Sequence, residues 1–205
     1  MPHITKSTYD EIQQHRLTEA AAQASTQRLP IIAILEDIRS LYNVGSIFRT
    51  SDGAHIEALY TVGYTPHPPR KEIDKTALGA TRTVPHQHFA TIQEAVASVR
   101  GVDHPPAPSY SASLHRRRSP KIAALEIASN SRSVFDLTPM DFPLAIIIGN
   151  EITGVSQEAL ALADFALEIP MLGAKHSLNV AVAYGVALFE CVRVIQTVES
   201  PLSGR

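Results

Sequence analysis

The chain has no tryptophan and one cysteine among its 205 residues. That cysteine, Cys191, cannot form an intrachain disulfide, and no Cys-x-x-Cys pair is present to hold a structural metal. Its place in an apolar helical pattern reads as a small core hydrophobe. A basic balance is also missing: 18 Lys and Arg stand against 20 Asp and Glu, a net charge of -2. Nucleic-acid binding would therefore need a local patch rather than bulk charge. The nine histidines show no HExxH or other ligand spacing, so no metal is expected. GxGxxG and GxxxxGK[ST] are absent as well, which leaves a pyrophosphate-binding Rossmann turn and a P-loop without support. The polar segment MPHITKSTYDEIQQHRL is no signal peptide. The apolar stretches read as too short and too interrupted to cross a bilayer. A cytoplasmic protein with no membrane partner is the expectation.

What is present fits one domain with a real core: 44% hydrophobic and 19% charged residues. Strand-like and helix-like segments alternate. IIAILE, ALYTVG, KIAALEI, PLAIIIG and ALEIP read as strands. The first and fourth are apolar throughout, as in strands buried on both faces. SIFRTSDGA, TIQEAVASVR, SQEALALADFA and NVAVAYGVALFECVRVIQTVE read as helices, with KTALGA as a short helical turn. Ser156 is placed to cap the third of these helices. The segment TPHPPRKEID, with three prolines, reads as a loop, and so does the proline- and serine-rich run from Gly101 to Pro120. This alternation predicts an α/β fold, a parallel sheet flanked by helices. An amphipathic helix is expected near the amino terminus, within STYDEIQQHRLTEAAAQAS.

Three turn-then-helix segments follow predicted strands: NVGSIFRT, GNEITGVS and GAKHSLNVA. Open α/β sheets bind ligands at that edge. Asn43 reads either as a helix N-cap or as a functional amide. Arg49 interrupts an otherwise small and apolar helix. It is read either as paired with a carboxylate such as Asp52, or as an Arg that meets phosphate at the ligand edge. Gly149, at a strand exit, permits close backbone approach. Glu151 is a turn carboxylate or a partner for Arg49. Ser177 and Asn179 stand where a cap belongs. Ala181, Gly185 and Ala187 make a small-residue surface that suits tight packing or a subunit contact, and an ordinary core helix fits the same spacing.

Taken together, Asn43 with Arg49, GNEITGVS and IPMLGAKHSLNVAVAYGVALFE resemble the three signature motifs of the SpoU/TrmH RNA 2'-O-ribose methyltransferases of the SPOUT superfamily. The resemblance runs from about Pro30 to Val194. It implies an α/β domain with a C-terminal deep trefoil knot, covering residues 30–198, between a helical extension (1–29) and a short tail (199–205). It implies S-adenosyl-L-methionine as cofactor, held by Gly149, Ile169 and Leu178, with Leu125 as a looser candidate. It implies a homodimer and a catalytic set of Arg49, Asn43, Glu151, Ser177 and Asn179. In that set Arg49 orients the ribose 2'-hydroxyl and stabilises its developing charge. No metal is needed.

The family pattern departs in its RNA-binding additions. Some relatives carry a separate RNA-binding domain before the knot, whereas here about thirty residues precede the first strand. RNA contacts are therefore expected from basic loops: Arg70 and Lys71 with Lys75, and Arg116, Arg117 and Arg118 with Lys121. Each group would equally suit a solvated surface loop. The RNA is expected to be tRNA by analogy, with rRNA as the alternative. A non-catalytic RNA-binding dimer of the same fold and a nicotinamide-dependent oxidoreductase are the rival classes. The complete motif set weighs against the first of these, and the absence of GxGxxG against the second.

Overall fold

The computed structural model describes Thr8, residues 28–101 and residues 119–199. The expected amino-terminal helix and the Arg116–Arg118 cluster lie outside the described residues. Seven strands form one sheet in the order β3-β2-β1-β6-β4-β7-β5. They are β1 (Leu29–Glu36), β2 (Ile56–Val62), β3 (His86–Phe89), β4 (Lys121–Leu125), β5 (Arg132–Ser133), β6 (Leu144–Ile148) and β7 (Phe165–Glu168). Every pairing between them is parallel.

The apolar run of β1 is buried throughout because both faces of the sheet are covered. Ile31, Ala33 and Leu35 face one core, and Ile32 and Ile34 face the other. The two faces of β6 divide the same way, with Leu144, Ile146 and Ile148 opposite Ala145 and Ile147. The first core is closed by α1 (Leu41–Gly53), α2 (Lys71–Ala77) and α5 (Val180–Glu199), through residues such as Phe48, Ile73 and Tyr184. The second is closed by α3 (Ile92–Val99) and α4 (Gln157–Leu162), through Ile92, Val96 and Ala159.

Local signals set the helix starts. Thr91 and Glu94 form a reciprocal capping box at α3. Ser156 caps α4, as its position in the sequence predicts, by accepting from Ala159 N at 3.0 Å.

Several expectations are corrected. The segment read as a loop over 65–74 turns helical from Lys71, because Ile73 and Ala77 find the first core and outweigh the prolines upstream. β3, with the sequence HQHF, has no apolar alternation and exposes most of its side chains. Its pairing with β2 alone makes it a strand. β5 is two residues long, too short to leave a periodic trace.

Helix α5 is long and apolar enough over Val180–Thr197, by length and composition, to cross a membrane, contrary to the sequence expectation. Its two charged residues in that stretch, Glu190 and Arg193, pair with each other one turn apart. One face of the helix packs on the sheet through Ala187, Leu188, Cys191, Val194 and Ile195. Cys191 is a core residue, and burial, reinforced by the nearby Glu190 charge, pushes its thiol up to about 12. Ala187 is fully buried, and Gly185 faces Thr50 of α1, where an added Cβ would still sit 3.8 Å away.

Candidate active site

The carboxyl ends of β4, β6 and β7 and the start of α5 enclose a cavity of about 530 Å3. Leu125, Gly149, Ile169 and Leu178, the four residues expected to hold a cofactor, all line it. So do Glu151, Ser177 and Asn179 from the expected catalytic set.

Asn43 joins this group through hydrogen bonds. Its Nδ2 donates to Glu151 Oε1 at 2.9 Å, and its Oδ1 accepts from Asn179 Nδ2 at 3.2 Å. Three segments distant in sequence thus meet in one polar chain, Glu151–Asn43–Asn179. Asn43 is not the cap of α1. Ser40 fills that role, its Oγ accepting from Asn43 N at 3.3 Å. The cap of α5 is Asn179, whose Oδ1 accepts from Ala181 N at 2.9 Å. The amide of Asn43 is therefore free for Glu151 and Asn179, and one residue type serves two purposes in the two helices.

Glu151 also accepts from Arg39 N at 2.9 Å and Ser40 N at 3.1 Å, at the positive end of α1. Partial burial pushes its carboxyl up, but the donors from Arg39, Asn43 and Ser40 outweigh it and leave the pKa lowered. The group is thus held as a carboxylate whose lone pairs are directed at α1.

Of the two readings of Arg49, the carboxylate pair is not seen: the residue is exposed, and it makes no ion pair with Asp52 or Glu151. Asp52 instead accepts from Thr83 Oγ1. The apolar pattern around Arg49 is real, with Val44, Ile47, Phe48 and Ser51 turned inward. Arg49 lies on the opposite face, with Tyr42 one face-repeat earlier. It does not line the cavity of its own chain.

Arg70 and Lys71 are exposed at the start of α2, on the loop that leaves the carboxyl end of β2. Lys121 is not part of a free basic loop. It pairs with Asp141 at 2.9 Å at the opposite, amino-terminal edge of the sheet.

Gly149 is needed for a reason the sequence did not show. A Cβ there would collide with the backbone of Gly154 and Val155, so the protein's own turn already requires the glycine. That turn is closed by paired backbone hydrogen bonds between Asn150 and Gly154, at 3.0 and 2.9 Å. Gly154 has φ of 72°. The Asn150 side chain, largely buried, accepts from Ile152 N and Thr153 N and donates to the Asp37 carbonyl and Tyr64 Oη.

Two carboxylates grip the turn from either side: Glu126 accepts from Val155 N at 2.9 Å, and Glu36 from Ser156 N at 3.0 Å and Ser156 Oγ at 2.6 Å. Sequence reading missed Glu36, Glu126 and Asn150. The available signal was a lone acidic residue closing an apolar strand, twice, in AILE and AALE.

The model of the SpoU rRNA Methylase family matches residues 30–189. The tRNA (guanosine(18)-2'-O)-methyltransferase of Escherichia coli strain K12 is 31% identical over 170 residues, 82% of this chain. The chain spans 65% of that protein's length. The enzyme of the same name from Thermus thermophilus is 31% identical over 165 residues, 80% of this chain and 74% of the relative. Among solved structures, an AdoMet-bound rRNA methyltransferase from Sinorhizobium meliloti superposes with a TM-score of 0.67 at 24% identity, over 82% of this chain and 57% of that one. That likeness shows the fold. The family model and the identity to the tRNA enzymes reach further, and by them the chain belongs to the SpoU rRNA methylase family.

Proposed function

We propose that the protein transfers a methyl group from S-adenosyl-L-methionine to a ribose 2'-hydroxyl of RNA. The observation that carries this is the convergence of GNEITGVS, HSLNV and Asn43 on one cavity, joined by the Glu151–Asn43–Asn179 chain. Family membership supports it, as do the activities named for the Escherichia coli and Thermus thermophilus relatives. These two also favour tRNA as substrate. The Sinorhizobium meliloti neighbour keeps rRNA as the alternative.

The cavity suits the cofactor in size and chemistry. Leu125, Ile148, Leu167, Ile169 and Leu178 offer apolar wall for an adenine, and carboxylates and backbone groups stand beside them. When bound, the cofactor supplies a methyl group on a sulfonium, which a nucleophilic oxygen takes in one displacement. The chain's own residues would do the rest. Gly149, Ile169, Leu178 and Leu125 hold the cofactor. Glu151 fixes the Asn43 amide, and Asn43 with Asn179 ties the first helix to the cavity. Arg49 orients the 2'-hydroxyl and stabilises the charge that grows on its oxygen, as a fixed cation does for a developing alkoxide. Ser177 offers a hydroxyl to the substrate ribose.

Arg49 lies outside the cavity of its own chain, and we infer that a second copy completes the site. An exposed apolar face supports this reading: Tyr42 on α1 is 57% exposed, and Val182 and Phe189 on α5 are 52% and 51% exposed. The spacing of Val182 and Phe189, seven residues, puts them on one stripe of the helix. A homodimer across this face would carry Arg49 toward the partner's cavity. The trefoil knot of the family is part of the same proposal. The strand order supports it, since β6 is inserted between β1 and β4 and β7 between β4 and β5. So is the division into residues 1–29, 30–198 and 199–205, in a cytoplasmic setting.

The test is mass spectrometry of total RNA from cells with and without the protein. Loss of one 2'-O-methylnucleoside, mapped to tRNA, is the expected result. An unchanged set of ribose methylations would sink the reading.

A further inference from the structure

The cavity contains three carboxylates, Glu126, Glu151 and Glu168, and among the described residues no Lys or Arg lines it, the one lining imidazole being His176. Two of these acids are neighbours by register. Leu125 of β4 is paired with Leu167 of β7, so the next residues, Glu126 and Glu168, stand side by side at the carboxyl edge. Adjacent parallel strands lie about 4.8 Å apart. Like charges in that position repel unless something offsets them.

Hydrogen bonds account for part of the charge. Glu126 accepts from Ile127 N at 2.9 Å and from Val155 N at 2.9 Å, one on each oxygen. Glu168 Oε2 accepts from Ser131 Oγ at 2.6 Å, and Oε1 has no partner among the described residues. Both side chains are part-buried and both line the cavity. A pair of carboxylates, one with an open oxygen, in a half-apolar cavity lined by no Lys or Arg among the described residues is complementary to a positively charged ligand group.

Resting on the cofactor reading above, we propose that Glu126 and Glu168 recognise the cationic methionine end of S-adenosyl-L-methionine and set the cavity's preference for that cofactor over its uncharged-sulfur product. The cofactor carries a sulfonium and an α-ammonium against one α-carboxylate, a net positive charge. S-adenosylhomocysteine keeps the ammonium and the carboxylate, and 5'-methylthioadenosine has none of the three groups. Two carboxylates placed beside the sulfonium and the ammonium therefore favour the net-cationic cofactor most and the zwitterion through its ammonium alone, while leaving the shared adenine and ribose alone. Glu151 does not take this role, because its oxygens are directed at Arg39 N, Ser40 N and the Asn43 amide.

Calorimetric titration of the full chain with the three ligands tests this, using wild type, Glu168→Gln and the Glu126→Gln/Glu168→Gln double variant, each checked for folding by thermal melt. Wild type is expected to bind S-adenosyl-L-methionine most tightly and methylthioadenosine least. The double variant should lose about tenfold or more for S-adenosyl-L-methionine, less for S-adenosylhomocysteine and no more than about twofold for methylthioadenosine. Glu168→Gln alone should move affinities in the same order. Equal losses for all three ligands would mean that the carboxylates only shape the cavity, and would overturn the proposal. Unchanged affinities in folded variants would overturn it too, leaving the proposed function standing. A wild-type protein that fails to bind S-adenosyl-L-methionine would overturn both.

Discussion

The two edges of the sheet treat their acidic residues differently. At the amino-terminal edge, where β4, β6 and β7 begin, two carboxylates have cations, the buried Asp141 and the exposed Asp164. Asp141 takes Lys121 and Arg132, both at 2.9 Å, and Asp164 faces Arg100 at 3.6 Å. The Arg132 guanidinium also stacks on Phe165, 3.9 Å from the ring centre. At the carboxyl edge, Glu36, Glu126, Glu151 and Glu168 have no salt bridge among the described residues, and backbone N–H groups and hydroxyls hold them instead. Neutral donors fix a carboxylate in place without cancelling its charge. The first edge spends its charge inside the fold, and the second leaves it uncancelled, with Glu126, Glu151 and Glu168 lining the cavity. The contrast implies that changes at the amino edge cost stability and that changes at the carboxyl edge cost binding and catalysis.

The largest expected effect sharpens this by exception. Gly149→Val, at the carboxyl edge, should prevent folding or destabilise by about 3 kcal/mol or more, because its Cβ and methyls would overlap the backbone of Gly154 and Val155. Denaturant unfolding measures this. A stable Gly149→Val protein would show that the turn yields, and would weaken the rigid cavity wall described here.

Asp141→Asn, at the amino edge, should cost about 2 kcal/mol at neutral pH, the scale of a charge-assisted hydrogen bond from Lys121 and an ion pair with Arg132 lost at a nearly buried site. Burial raises the Asp141 pKa, but Arg132 and Lys121, with Thr138, more than reverse this and hold its carboxyl well below the usual range. A depressed folded-state pKa adds stability above the ordinary carboxyl pKa of about 4, and that stability is lost as pH falls through the folded value. The gap between wild type and Asp141→Asn should therefore be full at pH 7 and narrow below about pH 4. A gap independent of pH would mean that the charge pairing is not its source.

Phe189→Asp should leave the protomer's melting temperature within a few degrees of wild type, since the side chain is half exposed. It should shift light scattering from dimer to monomer. A wild-type monomer at micromolar concentration would contradict the proposed second copy.

Much of the site was legible because its residue types are costly elsewhere. A glycine at a strand exit, and an Arg, Asn and Glu beside apolar runs, stand out against a buried sheet. What was not legible depended on partners far apart in the chain. The grip of Glu36 and Glu126 on the turn at 155–156 spans 120 and 29 residues. The exposure of Arg49 follows from which face of α1 meets the sheet. Its neighbours Ile47 and Phe48 are apolar and buried, so local pattern alone did not say which way Arg49 turns. β3 and β5 were invisible for the complementary reason: pairing with one neighbour, not side-chain burial, makes them strands.

The most direct test of the whole account is single-turnover methyl transfer from labelled S-adenosyl-L-methionine to tRNA, comparing wild type with Arg49→Ala and identifying the modified nucleoside. Arg49 is exposed and has no hydrogen-bond or ion-pair partner among the described residues, so the variant's stability should lie within about 0.5 kcal/mol of wild type. Its transfer rate should fall about a hundredfold or more, the scale seen when a transition-state charge partner is removed. The wild-type product should be a 2'-O-methylnucleoside. A folded Arg49→Ala protein that transfers at the wild-type rate, or a label found on a base, would contradict the assignment of this edge as a ribose-methylating site.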